Sequence, residues 1–208
     1  MPALQGSLLG LGEDVAPRTL DASVERLELD HGAWVHVRRA WIEGADTLFD
    51  RLQEVVPWQA ERRWMYDRVV DVPRLVRFYG EGARLPAGEL DDARQALDDY
   101  YRHQPGGPFR TVGLCLYRDG CDSVAWHGDT RGRGATEDTT VAIISLGAHR
   151  RLLLRPRRGG ATLRFELGGG DLFVMGGSCQ RTWEHAVPKT TRPVGPRISV
   201  QFRQRGVR

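Results

Sequence analysis

The sequence predicts an α+β protein, a two-sheet jelly roll or barrel in its second half with the helices of its first half packed outside it. Two changes of texture carry that expectation. Apolar residues recur at helical spacing in two segments before residue 102, and from residue 111 short stretches of alternating polarity succeed one another between Gly, Asp and Arg-Gly breaks. At 208 residues the chain is long enough for a proper core, and a single domain over 1–208 is expected.

The first helix is expected over 45–56, where ADTLFDRLQEVV sets Leu48, Phe49, Leu52, Val55 and Val56 on one face and Pro57 ends it. LDDARQALDDYY (90–101) repeats the pattern with Leu90, Ala93, Leu97 and Tyr100 or Tyr101 inward; its acidic residues read as a solvated face. Between them WQAERRWMYDRVVDVPRLVRFYGEG is aromatic, basic and too irregular for a helix. Then come eight strand-length segments: TVGLCLYR, SVAWHGD, TVAIISLGA, RRLLLRPR, ATLRFELG, DLFVMGG, TWEHAVPKT and RISVQFR. Internal repeats, low-complexity tracts and linkers are not evident.

Bulk properties exclude several classes. The longest apolar run, VAIISLGA, is strand-sized and far short of the ~20 residues that span a bilayer. The opening MPALQGSLLGLGED carries no basic leader, so a cytoplasmic protein, monomeric and not membrane-bound, is expected. Three cysteines, Cys115, Cys121 and Cys179, with no C-x-x-C pair argue against a disulfide framework and a thiolate zinc site. A net charge of +3 permits an anionic partner without requiring one. The cations are almost all arginine, Lys189 being the only lysine, which fits a GC-rich coding bias as well as nucleic-acid binding.

Three motifs carry chemistry. In SVAWHGDT (123–130) alternation puts Ser123, Ala125, His127 and Asp129 on one face and Val124 and Trp126 on the other, so His127 and Asp129 reach toward one point. Taken alone, H-x-D is more often an ordinary strand end. TWEHAVP adds His185 on a second strand, with Trp183 on its face. Two imidazoles and a carboxylate from separate strands form a facial triad suited to Fe(II), which leaves positions open for a co-substrate and oxygen; zinc or structural histidines are the alternatives. RISVQFR then places Arg197, Ser199, Gln201 and Arg203 on one face and Ile198, Val200 and Phe202 on the other. Two guanidiniums pointing into a jelly-roll core demand anions, and a dicarboxylate matches both; a solvent-exposed face is the other reading.

In order along the chain, the tyrosine of LYRDGCD, the H-x-D, the distant histidine and the final Arg-x5-Arg resemble the AlkB family of Fe(II)- and 2-oxoglutarate-dependent dioxygenases, over roughly residues 55–203. The resemblance implies a double-stranded β-helix core over 111–203. It implies iron held by His127, Asp129 and His185, with 2-oxoglutarate and O2 as co-substrates. Arg197 would pair with the far carboxylate, helped by Tyr117, and Arg203 would serve the carboxylate nearer the metal. Family members commonly carry asparagine at the places of Cys115 and Ser199; serine still donates a hydrogen bond, cysteine only weakly. After the H-x-D, where repair members often have acidic residues, this chain reads Thr130-Arg131-Gly132-Arg133.

The same resemblance makes about 55–90 a nucleotide-recognition segment. Met65 and Tyr66 would form a finger entering the base stack, and Arg74, Tyr79 and Arg131 would lie near the substrate, with Trp126 and Trp183 as walls around the metal. Core packing is the alternative for Trp64, Tyr66, Phe78 and Tyr79, and equally for Trp126 and Trp183. The basic stretch 150–158 reads as a phosphate contact or a solvated strand. The function implied is oxidative demethylation of N-alkylated bases in DNA or RNA, releasing formaldehyde, succinate and carbon dioxide. A 2-oxoglutarate oxygenase of protein side chains or metabolites is one alternative; a metal- or nucleic-acid-binding module without turnover is another.

Overall fold

The computed structural model of the chain describes residues 14–65, 67–130 and 132–207, with the backbone alone described at 63–65 and 68–71. In chain order its strands are β1 (Ala16–Pro17), β2 (Glu25–Glu28), β3 (Ala33–Arg38) and β4 (Ile42–Glu43), followed by helix α1 (Ala45–Val55). A long hairpin, β5 (Gln59–Met65) and β6 (Arg68–Tyr79), precedes helix α2 (Gly88–Tyr101). Then follow β7 (Phe109–Tyr117), β8 (Val124–His127), β9 (Val141–Gly147), β10 (Arg150–Pro156), β11 (Leu163–Leu167) and β12 (Asp171–Gly177). The short helix α3 (Cys179–Thr182), β13 (Trp183–Val187) and β14 (Arg197–Gln204) close the order.

The eight segments expected after residue 111 are β7 to β14, and they divide between two antiparallel sheets. The major sheet runs β2-β3-β12-β9-β14-β7-β6-β5 and the minor sheet β11-β10-β13-β8. From β7 to β14 the chain passes back and forth between the two sheets, except at the β10–β11 hairpin, which lies wholly in the minor sheet. The first half departs from expectation: β2 and β3 extend one edge of the major sheet, and the irregular aromatic segment is the β5–β6 hairpin that extends the other. A strand lying inside a sheet with both faces covered has no polar alternation to reveal it, and β3 (AWVHVR) is buried at five of six positions.

Two apolar layers flank the major sheet. On the outer side Leu48 and Leu52 of α1 and Leu90, Ala93 and Leu97 of α2 pack on Leu114, Ile144, Ile198, Val200 and Phe202. Between the sheets lie Val35, Ile143, Leu152, Leu154, Phe173, Met175 and Trp183. Val55, expected inward, is exposed because α1 ends there and the chain turns so that Val56 takes the buried place; likewise Tyr101 and not Tyr100 faces in. The even-numbered face of β14 therefore sits under the helices, and its polar odd-numbered face looks into the space between the sheets.

Candidate active site

The minor sheet supplies the imidazoles. His127 on β8 lies directly across from His185 on β13, and the two rings approach with centroids 4.2 Å apart. The His127 Nδ1–H donates to the Ala125 carbonyl oxygen at 2.9 Å, which fixes the tautomer and leaves Nε2 with its lone pair for a ligand. Burial pushes His127 below the ordinary imidazole range, and burial together with neighbouring His127 pushes His185 down to about 3. Both rings are thus neutral at physiological pH.

Asp129 follows β8 and is nearly fully buried. Burial favours its acid form, but Arg203 and the two imidazoles overcome that and hold it at about 2, so it is a carboxylate. Its backbone N–H donates to Gln180 Oε1 at 2.8 Å, tying the strand end to α3. Arg203 Nε donates to Asp129 Oδ2 at 2.6 Å. Two neutral imidazoles and a carboxylate are the protonation states a divalent cation needs, so the donors fit one chemically. Among the described residues, however, no three His, Cys, Asp or Glu side chains are gathered as a metal cage. The two histidines meet, while the buried carboxylate is turned onto the nearest guanidinium.

Facing these groups, β14 presents Arg197, Ser199 and Gln201, all buried, and the register sets Arg197 beside Tyr117 and Ser199 beside Cys115. Arg197 is only 1% exposed; its Nε donates to Ser145 Oγ at 2.6 Å, and its carbon Cζ stands 5.3 Å from the Tyr117 ring centroid. One terminal nitrogen of Arg197, Nη1, is buried with no protein acceptor. An unpaired buried guanidinium nitrogen is costly, and an anion entering between the sheets would satisfy it. Burial pushes Tyr117 up to about 12, so its hydroxyl keeps its proton. Where the AlkB resemblance expects asparagines, a different chain of contacts stands: Gln201 Nε2 donates to Ser199 Oγ at 2.6 Å, and Cys115 Sγ reaches Gln201 Oε1 at 3.8 Å.

Expected substrate-side residues divide. Arg74 lies on the site face beside Cys115 and Tyr117; its Nη1 donates to the Ser123 carbonyl oxygen at 3.2 Å and its Nε is buried without a partner. Tyr79 does not reach the site: it is packed in the helix-side core, five residues and hence the opposite face from Arg74. Trp126 does not wall the metal side either. It alternates with His127 onto the outer face of the minor sheet, where the Arg155 guanidinium covers its ring at 4.0 Å. Trp183 faces inward as part of the inter-sheet core. The described residues do not include Tyr66 or Arg131, nor the side chain of Met65. In the basic stretch, Arg150 is structural, donating to the carbonyls of Asp119, Asp122 and Pro188.

Ser145 and Gln180 enter the site without having been singled out in sequence, and Gln201, read only as part of the polar face of RISVQFR, joins them. Ser145 was legible in principle as the lone polar residue of an apolar strand; Gln180 was not, because only the fold brings α3 against the end of β8.

Residues 83–203 match the family model described as the 2OG-Fe(II) oxygenase superfamily. The chain belongs to that superfamily. Within it, the relatives are of the AlkB family. The DNA oxidative demethylase ALKBH2 of Arabidopsis thaliana is 28% identical over 219 residues, covering 87% of this chain and 69% of the relative. The Alpha-ketoglutarate-dependent dioxygenase alkB homolog 3 of Homo sapiens is 28% identical over 178 residues, 78% of this chain and 62% of the relative. The chain thus spans roughly two-thirds of the length of these relatives. The solved structure of OsALKBH1 superposes with a TM-score of 0.58 at 16% identity, over 86% of this chain and 100% of that one, so the oxygenase jelly roll is shared. As a superfamily member, the chain is an Fe(II)- and 2-oxoglutarate-dependent dioxygenase. No helix among the described residues is long and apolar enough to cross a membrane.

Proposed function

We propose that this dioxygenase removes alkyl groups from the nitrogens of DNA or RNA bases. The observation that carries the reading is the buried Arg197, with one nitrogen unpaired, facing an inter-sheet space whose other wall bears His127 and His185. The substrate class is supported by relatives whose names describe oxidative demethylases of DNA. When bound, Fe(II) with 2-oxoglutarate and O2 would supply the oxidant that hydroxylates the carbon on the base nitrogen, giving succinate and carbon dioxide, and the hydroxymethyl group would leave as formaldehyde to restore the unmodified base in its strand.

The chain's own residues do the placing. His127 Nε2, His185 and the Asp129 oxygen not bonded to Arg203 would hold the metal. Arg197, with Ser145 fixing its Nε and Tyr117 donating its hydroxyl, receives the far carboxylate of the diacid, and a planar fork suits that task better than a point charge. Arg203, which donates to Asp129, would also serve the co-substrate carboxylate nearer the metal, and Ser199 lies on the same face of β14. The 55–90 segment would serve as the nucleotide-recognition element, with Met65, Tyr66 and Arg131 among the residues expected to meet the substrate.

The test uses anaerobically purified protein given Fe(II), 2-oxoglutarate, oxygen and oligonucleotides bearing 1-methyladenine or 3-methylcytosine. Formaldehyde that depends on the methylated base is the expected result. Succinate without it, above the uncoupled background, would instead assign a protein or metabolite substrate, a reading favoured only by Arg131 and Arg133 standing where acidic residues are usual.

A further inference from the structure

Phe78 is the outlier among the large apolar side chains, 53% exposed, although it belongs to β6, a strand inside the major sheet. Its place explains the exposure. It alternates with Arg74 and Val76 onto the site face, and its partner across the ladder on β7 is Gly113, so no side chain covers its flank there. Gly113 in turn is hemmed from β14: a Cβ on it would stand 2.9 Å from Arg203 Nη1 and 3.0 Å from Gln201 Oε1. Arg203 bonds Asp129. An uncovered aromatic ring, a bare backbone patch, a guanidinium and a metal-side carboxylate therefore follow one another across one sheet face.

A cationic cluster gathers on the chain just beyond the end of β6 that carries Phe78. Glu81, three residues beyond Phe78, is shared by Arg205, whose side chain is 71% exposed, and by Arg110 at 3.8 Å. One carboxylate between two guanidiniums leaves an excess positive charge, and solvent-exposed ion pairs of this kind are weak, so a phosphate competes with Glu81.

We propose that Phe78 is a stacking platform for an unpaired base of single-stranded nucleic acid, with Arg110 and Arg205 receiving the adjoining phosphate. The inference rests on the nucleic-acid reading above and adds the strand state. Phe78 sits at the far end of β6 from the hairpin turn, ten residues from Arg68 and so up to ~33 Å along an extended strand. A ring there cannot wedge into a duplex from the hairpin tip. It takes a base that arrives already unstacked, and the flat π face accepts any base.

The experiment measures binding of a short, fluorescently labelled single strand carrying 1-methyladenine to the full chain without added iron, so that nothing turns over. Phe78→Leu keeps apolar area but loses the π face and is expected to weaken binding about tenfold, while Phe78→Trp restores or tightens it. Arg110→Gln with Arg205→Gln is expected to lower the salt dependence of binding by about 0.7 per lost phosphate contact. Unchanged 2-oxoglutarate binding in each variant shows that the pocket is intact. Binding of Phe78→Leu equal to wild type would overturn the platform and leave the demethylase reading standing if the formaldehyde assay is positive. Failure of the wild-type chain to bind any single strand, or tighter binding of duplex than of single strand, would overturn the strand assignment, whereas the demethylase reading falls only if methylated oligonucleotides yield no formaldehyde.

Discussion

His36 shows how closely one side chain's charge state is tied to its neighbours. It is buried between Arg26, whose guanidinium faces Nε2 at 3.3 Å, and the Tyr101 hydroxyl, 2.9 Å from Nδ1, with the Trp34 and Tyr100 rings beside it. Arg26 only donates, so Nε2 accepts and Nδ1–H donates, which is a neutral tautomer. Burial, then Arg26, push its pKa down to about 4, against 6.5 in the unfolded chain. Because the folded value is the lower, this contribution to stability is complete above pH ~6.5 and is lost as pH falls toward ~4. The melting temperature should decline over that window, and His36→Gln, which keeps one donor and one acceptor but no titration, should flatten the decline. A decline of equal slope in the variant would assign it to other groups. At the same scale, Ser145→Ala strips Arg197 of the acceptor for its Nε; 2-oxoglutarate binding by calorimetry should weaken roughly tenfold, as for a buried hydrogen bond to a charge. Arg74 and Tyr79 are an odd number of residues apart and Trp126 is next to His127, so strand parity alone separates each pair, yet the family pattern grouped them.

Elements set the precision of the site. The end of β8 is held against α3 by a hydrogen bond from Asp129 to Gln180 and by the lack of a side chain at Gly128, where a Cβ would lie 2.6 Å from the Gln180 carbonyl oxygen. Backbone cannot yield as a flexible side-chain tip does. Gly128→Ala should therefore displace the His127–Asp129 segment, and Gln180→Leu should free it. Both should lower affinity for Mn(II), read by calorimetry, by ~10–100-fold, the usual loss when an outer partner of a metal ligand is removed. Wild-type affinity in Gln180→Leu would show that the strand end is held without α3. The strands after residue 111 were legible as short apolar or alternating runs between turn residues; β3 was not, since a strand covered on both faces lacks polar alternation, and neither was β2, whose four residues are all exposed and offer no apolar face.

Across the whole molecule the major sheet separates two jobs. Its helix side is a continuous apolar layer and its other side carries the polar stripe, so stability and chemistry are lodged on opposite faces of the same strands. Leu97 is fully buried in the helix-side layer. Leu97→Ala should cost ~2–5 kcal/mol and lower the melting temperature by about 5–15 °C, followed by calorimetry, while succinate formation per folded molecule stays near wild type. A large loss of turnover in the folded variant would mean that the layers are coupled through the sheet.

The order of chemical groups was determined by the sequence alone: tyrosine, H-x-D, a distant histidine and paired arginines, on strands or at a strand end, together with the expectation of a diacid and a ferrous ion. Only the tertiary structure decided which groups share a space. It turned Arg203 onto Asp129, put Ser145 behind Arg197, sent Trp126 and Tyr79 to the wrong faces for a substrate role and left Phe78 bare. The reason is physical. Periodicity along a strand reports which way a side chain points relative to its neighbours in the chain, whereas contact across sheets depends on register and stacking between segments that the chain joins only at long range.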